Sequence, residues 1–444
     1  MNNVRVFKFG GSCLKETHDI DAIVQRIMES ESERTVVVVS ALHGVTDRIL
    51  ERLERNERET ITAFVASIEM FHLEISPSLV NSHYYTIFLK ALEGLSDSLY
   101  AHCDNPNEKF RTEALISGER MSSVVVTSAI AEAGIDSAPA WAEDIGIEIK
   151  IDKGSPVIDI DETGKQLNLP NVKVPVVTGW YGKSDDGFAL LDRGGSDLTA
   201  TSLSSVLSAS DVTIWRDVPG VLALAPRWSI PSRNLPYLSY TEAQELALFS
   251  EPMLHPFAVE PLRDDGIALH LKPLHDPSSV GSCIGPFIAA GPPQVRAVGC
   301  LPHLVPLTLC LSGVMSLAKV VADATNVLER SRIRVWSLRA RPSEARFLVS
   351  ERFASRAIRL LSESPGLPTP IRGRSIAILC FVGESIGIDG DVAKEIENFA
   401  RESDIDFVAL DEGNRDHALH YTVPDRQTQV ALMSIAKKLD LLIS

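Results

Sequence analysis

VFKFGGSCLKE, residues 6–16, sets a lysine two positions ahead of a glycine pair and small side chains directly after it. Val4, Val6 and Phe7 around Arg5 have the apolar, β-branched content of a short buried strand. From Asp19 onward Ile20, Ile23, Val24 and Ile27 recur at helical spacing. The glycines therefore sit at a strand-to-helix turn. Gly10 and Gly11 lack the Cβ atoms that keep a ligand from the backbone, so successive N–H groups can point at an anion, and Ser12 adds a hydroxyl donor. Lys8 supplies a full positive charge. The stretch suits a phosphate cradle, but it is neither G-x-x-x-x-G-K-[ST] nor G-x-G-x-x-G. A β-turn beside a solvated lysine uses the same residues.

The rest of the chain bounds these readings. At 444 residues it exceeds one ordinary core, and two or three domains are expected. Lys and Arg number 43 against 59 Asp and Glu, a net charge of −16, which disfavours nucleic acid or another broad polyanion as partner and makes any phosphate site local. Six scattered cysteines (Cys13, Cys103, Cys283, Cys300, Cys310, Cys380) form no C-x-x-C pair and have no histidine at metal-ligand spacing. They read as reduced thiols of a cytoplasmic protein, and no metal-ligand set is expected. The chain opens on a strand rather than a signal peptide, and no apolar run reaches the roughly 18 residues of a membrane span.

From residue 1 to about 285, apolar runs such as VVVVS (36–40), VPVVT (174–178) and VTIW (212–215) alternate with helical stretches near 48–70, 112–133 and 197–209. This alternation predicts a mainly parallel sheet with helices on both faces and ligands at the strands' carboxyl ends. The Gly- and Pro-rich segment 285–304 marks a boundary. Beyond it, strand-helix-strand-strand orders over Leu307–Val349 and Ser375–Val423 suggest two small α+β units, followed by a closing helix over 425–438.

Four further stretches carry candidate chemistry. VVVVSALHGVTDRI (36–49) leaves the hydroxyls of Ser40 and Thr46 near a strand's carboxyl end, where they serve a site or an N-cap and turn. In ISGERMSS (116–123), Glu119 follows a glycine at an expected helix start, where its carboxylate complements the dipole or holds an ammonium group. LLDRGGSDLTA (190–200) repeats the opening logic of strand, Gly-Gly turn, hydroxyl and helix, with Asp197 in the first turn. Arg193 suits a carboxylate or phosphate, while Ser196 reads equally as an N-cap. Two glycine turns of opposite charge, one with Lys8 and one with Asp197, can face each other over one phosphate. TIWRDVPGVLALAPRWSIP (213–231) places Asp217, Pro219-Gly220 and Pro226-Arg227 in a loop beside a strand end.

Taken in order, KFGGS, VSALHGVTD, SGER, VPVVTGWYG, DRGGSD, IWRDVPGV, LSYTEAQELALF and MLHPFAVEP resemble aspartate kinase of the amino-acid kinase family over most of residues 4–285, and the tail resembles that family's paired ACT domains. The resemblance implies an α/β chain: a three-layer αβα amino-acid kinase fold with a mainly parallel central sheet over 1–288, then two ferredoxin-like α+β ACT domains over 300–372 and 373–444. It implies transfer of the γ-phosphoryl group of ATP to the β-carboxylate of L-aspartate, with Mg²⁺ held mainly through the ATP phosphates. Such a nucleophile has a reference pKa near 3.9 and needs no general base. The difficulty is an anion approaching a polyanion, offset by cations and backbone donors.

By the family's pattern Lys8 neutralises the transferred group and Asp197 orients Lys8. Gly10, Gly11 and Gly195 supply N–H groups, and Ser12, Asp217 and Arg227 complete the nucleotide side. Arg193 grips the substrate α-carboxylate and Glu119 its α-ammonium, with Ser40, Thr46 and Ser196 completing the pocket. The tail implies a homodimer or larger homo-oligomer and an amino-acid effector near 339–349 and 411–423.

The chain departs from the pattern at Arg216 (usually Thr), Leu222 (Tyr), Ala225 (Asp) and Pro252, where the family has a nucleotide-contacting lysine. Arg216 is the candidate replacement cation. Asp192 beside Arg193 is a further departure. The alternatives are a kinase for another amino-acid carboxylate in a specialised pathway, or a non-catalytic regulatory homologue with a degraded nucleotide site.

Overall fold

The computed structural model describes residues 4–152, 154–192, 194–250, 254–286, 293–313, 315–388, 390–410 and 417–443. Two compact units interleave in sequence. The first takes Met1–Val221, Asn234–Gln244 and Pro252–Ile288; the second takes Leu222–Arg233, Glu245–Glu251 and Ala289–Ser444. Within the second, backbone bridges pair Leu224 with Val298 and Ser232 with Leu442.

The first unit runs β1 (Val4–Phe9), α1 (Thr17–Met28), β2 (Arg34–Val39), α2 (Val45–Arg55), α3 (Ile61–Ile75), α4 (Tyr85–Asp104), α5 (Glu108–Glu132), β3 (Ser137–Ala140), α6 (Ala142–Ile145), β4 (Ile149–Asp152), β5 (Ser155–Ile158), α7 (Ile160–Gln166), β6 (Val174–Thr178), β7 (Tyr181–Ser184), β8 (Gly187–Leu190), α8 (Gly195–Val206) and β9 (Asp211–Arg216). It continues through β10 (Tyr237–Ser239), α9 (Tyr240–Phe249), α10 (Glu260–Arg263), β11 (Ala268–Pro273) and β12 (Ser282–Gly285). Residues of α9 from Glu245 onward belong to the second unit.

Eight strands form one sheet in the order β10-β12-β11-β9-β1-β2-β6-β3. All neighbours are parallel except β11 and β12. Alternation along the strands sorts the side chains into two faces. Phe7, Phe9, Val37, Val39, Val174 and Val176 pack in one core with α1 to α5. Val6, Lys8, Val36 and Val38 leave the other face, the side of α8, which packs on β1, β2 and β9. This is the expected three-layer arrangement with a mainly parallel sheet. It decides where Lys8 points.

The second unit adds β13 (Ala297–Cys310), α11 (Leu317–Arg330), β14 (Val335–Arg341), β15 (Glu344–Ser350), α12 (Glu351–Glu363), β16 (Ile371–Arg372), β17 (Ile376–Val382), α13 (Asp391–Glu402), β18 (Val408–Ala409), β19 (Ala418–Pro424) and α14 (Thr428–Lys438). Both expected α+β units are present, and they share one antiparallel sheet of order β14-β15-β13-β17-β19-β18. The first half of β13 pairs with β17 and the second with β15, Leu304 facing both Ser350 and Ile376.

Some expected bounds shift. The stretch 285–304, read as a boundary, already contains the start of β13. The register slips between Leu301 and Leu304, where Pro302 has no N–H to give the ladder and His303 takes φ +58°. The helix expected over 48–70 is two helices, parted at Asn56, whose φ of +49° ends α2. Among the described residues no helix is long and apolar enough to cross a membrane.

Candidate functional site

The sheet's register delivers the cluster. Lys8 is the last residue but one of β1, and Asp197 lies in the first turn of α8 on the face that Lys8 leaves. Lys8 Nζ stands 2.6 Å from Asp197 Oδ1, and the two side chains are 9% and 5% exposed. Arg216, at the end of β9, donates from Nη2 to Asp197 Oδ2 at 2.7 Å. Burial alone pushes the Asp197 carboxyl up, but Lys8 and then Arg216 outweigh it and hold it below its ordinary value. One carboxylate against two cations leaves a surplus positive charge at the strand ends.

Both glycine turns are built around this pair. A Cβ on Gly10 would lie 2.9 Å from Lys8 Nζ, so the missing side chain is what lets the ammonium lie on the backbone. The chain then closes a short 3-10 turn, Cys13 N–H donating to Gly10 O at 2.8 Å. Beyond it Lys15 Nζ meets Asp217 Oδ2 at 3.1 Å. Partial burial raises the Asp217 carboxyl, while hydrogen bonds from Lys15 and Ser12 bring it below its ordinary value.

At the second turn Gly194, with φ +87°, is the N-cap of α8, and Ser196 is not. Ser196 lies inside the helix, where its Oγ accepts from Ser40 Oγ at 2.9 Å. Gly179 permits this approach, since a Cβ there would fall 2.6 Å from Ser196 Cβ. The Gly195 N–H, expected to face a phosphoryl group, donates to the Asp192 carbonyl at 2.8 Å. A tight turn before the helix consumes it.

Glu119 is not at a helix start. It sits midway along α5, so the dipole reading falls away. Gly118 lets the helix approach the β2–α2 connection, a Cβ there standing 3.0 Å from Ala41 Cβ. Glu119 Oε1 accepts from Ala41 N–H at 3.3 Å, and its buried Oε2 has no partner among the described residues. Burial pushes this carboxyl up to about 8, only partly opposed by the Ala41 N–H. A buried carboxylate with a vacant oxygen calls for a cation. Thr46 is in the first turn of α2, half-buried; Gly44, with φ +76°, is the N-cap, and neither Ser40 nor Thr46 caps.

Ser40, Glu119, Ser196, Asp197, Lys8 and Arg216 are thus linked through direct contacts and the adjacent Ala41, at the carboxyl ends of β1, β2 and β9. Arg193 and Pro252 lie outside the described residues. Arg227 belongs to the second unit, where its guanidinium donates to the Cys300 carbonyl. His255 was missed by the sequence reading although its motif, MLHP, is conspicuous. It is 2% exposed and lies against Gly194, within 3.5 Å of where a Cβ would stand. Burial lowers its pKa, partly offset by the Asp197 and Asp192 carboxylates.

The model of the amino acid kinase family matches residues 3–273. Chloroplastic aspartokinase 2 of Arabidopsis thaliana is 32% identical over 294 residues, 63% of this chain and 54% of that protein. The bifunctional aspartokinase/homoserine dehydrogenase of Haemophilus influenzae is 24% identical over 479 residues, 99% of this chain and 58% of its own length. The chain spans about half the length of these curated relatives. Among solved structures, E. coli aspartokinase III in complex with aspartate and ADP superposes with a TM-score of 0.83 at 22% identity, covering 98% of this chain and 100% of that one. Aspartate kinase from Clostridium acetobutylicum gives 0.77 at 18% identity, covering 98% and 100%. At these identities the likeness is one of fold.

Proposed function

This chain belongs to the amino acid kinase family, and on that premise we propose that it transfers the γ-phosphoryl group of ATP to the β-carboxylate of L-aspartate, forming 4-phospho-L-aspartate and ADP. The observation that carries the reading is the meeting of Lys8 and Asp197, from two separate Gly-Gly turns, 2.6 Å apart. The aspartokinase relatives, and the E. coli enzyme whose structure holds aspartate and ADP, supply the substrate assignment.

In the reaction a β-carboxylate oxygen attacks Pγ, the bond from Pγ to the bridging oxygen breaks, and ADP leaves with that electron pair. The nucleophile is already ionised at neutral pH, so proton abstraction plays no part. Neutralisation carries the catalysis. Lys8, held by Asp197 and lying on Gly10, offsets charge on the migrating group. Arg216 fixes the second oxygen of Asp197 and, at a strand end, adds a cation to the nucleotide side. The vacant oxygen of Glu119 receives the α-ammonium, and Arg193 is assigned the α-carboxylate. Mg²⁺, when bound with ATP, draws charge from the phosphates. The partly exposed Asp217 is the acidic group best suited to its water shell, since its ion pair is with the exposed Lys15. We assign the tail to assembly of copies, supported by the exposed edge strand β14.

Trapping with hydroxylamine tests the activity. Protein supplied with MgATP and L-aspartate should yield aspartyl hydroxamate. Folded protein that gives none at high ATP, with any amino-acid carboxylate, overturns the reading.

A further inference from the structure

The second unit gathers three side chains of a different chemistry. Cys380 and His420 are direct partners on the antiparallel strands β17 and β19, so both leave the same face of the sheet. Glu245, on the part of α9 that belongs to this unit, reaches that face. Its Oε2 lies 3.4 Å from His420 Nε2, with the two side chains 16% and 1% exposed. Cys380 is wholly buried. One carboxylate oxygen, the thiol sulfur and one imidazole nitrogen all lie within 4.8 Å of one another, the one such group among the described residues. The Phe249 ring, 4.6 Å from that of His420, adds an apolar wall.

Oxygen, nitrogen and sulfur donors together are the ligand set of a borderline-soft divalent ion. Bonds of about 2.0–2.3 Å around a tetrahedral ion set donor atoms roughly 3.3–3.8 Å apart. Binding therefore needs separations of up to 4.8 Å to close to that spacing. The bland reading is a buried His–Glu pair beside a core cysteine. A divalent ion takes all three donors into one coordination shell. Sequence spacing gave no sign of this, because the ligands come from a helix and two strands far apart in the chain.

We propose that Glu245, Cys380 and His420 bind one divalent ion of the zinc class, with water in the fourth position. On binding, the Cys380 S–H bond breaks, the sulfur keeps the electron pair and bonds the metal, and the proton leaves to solvent. The ion ties the end of α9 to the β17–β19 sheet. It has no part in phosphoryl transfer.

The test uses the full chain, stripped with a chelator and dialysed against Zn²⁺. Elemental analysis should give one zinc per chain, and zinc should raise the melting temperature. Co²⁺ in its place should show a thiolate-to-cobalt charge-transfer band in the near ultraviolet. Cys380→Ser should lose that band and bind at least about 10-fold more weakly; Glu245→Gln should also weaken binding. No retained zinc, cobalt bound without the band, or Cys380→Ser and Glu245→Gln binding as tightly as the parent protein overturns the proposal. The parent measurements decide even where a variant folds poorly.

Discussion

Lys8 and Arg216 divide one carboxylate between them, and this sets what each substitution should do. Lys8→Ala removes the charge assigned in the proposed reaction to the migrating group, so kcat should fall roughly 100-fold or more with the KM for aspartate little changed. Equal losses in both would contradict its role. Arg216→Ala should cost about 1.5–3 kcal/mol, or roughly 10- to 100-fold, in ATP affinity; titration of the nucleotide checks this, and unchanged affinity would remove Arg216 from the nucleotide side. Glu119 carries the pH dependence. Its carboxyl is raised from 4.5 to about 8 by burial, so the folded state holds its proton more tightly than the unfolded chain does. The carboxyl costs no stability below about 4.5, and the protein loses stability as the pH rises through about 8. Melting temperatures of the ligand-free protein should decline over this window relative to Glu119→Gln, and bound aspartate should reduce the decline. Parallel curves for the two proteins would falsify the assignment. The residue identities of this site were legible because glycine pairs, a lysine and an acid are rare in such order. The Arg216–Asp197 contact was not, since Arg216 breaks the family pattern and only the strand register shows where its guanidinium falls.

At the scale of the element, the two glycine turns answer to different constraints. Gly10 has φ −82°, which alanine adopts freely, but its Cβ would strike the Lys8 ammonium. Gly10→Ala should therefore leave the melting temperature close to the parent's while lowering kcat. Gly194 has φ +87° at the N-cap of α8, so Gly194→Ala should cost about 1–2 kcal/mol of stability by placing a Cβ in left-handed backbone. Calorimetry beside kinetics separates the two cases. Periodicity exposed the parallel strands because VVVVS and VPVVT are apolar on both faces. It misjudged helix starts: the glycine before Glu119 looked like punctuation, and its real work is to let a long buried helix touch the β2–α2 connection. Serine after a Gly-Gly pair looked like a cap, whereas the glycine in left-handed backbone takes that position and frees Ser196 for Ser40.

For the whole molecule, the alternation of strands and helices and the change of pattern after residue 285 conveyed the fold class. The interleaving of segments 222–233 and 245–251 with the second unit was invisible, and the bridges that tie 222–233 there join residues far apart in sequence. At the sheet's edge, β14 presents Leu338, 42% exposed. An edge strand of this kind pairs readily with another chain, so light scattering should find a dimer or larger species, and Leu338→Glu should shift it toward monomer. A monomeric parent would refute assembly through this edge. Leu304, fully buried where β13 meets both β15 and β17, should cost about 2–5 kcal/mol when cut to alanine, and hydrogen exchange should quicken in β15 and β17 alike. Protection lost in only one of them would mean that the two α+β halves open separately. The same continuous strand restricts how such tails diversify. A crossover between homologous genes within codons 297–310 would join the front of one lineage's strand to the back of another's, so both sheet halves would have to accept the hybrid strand.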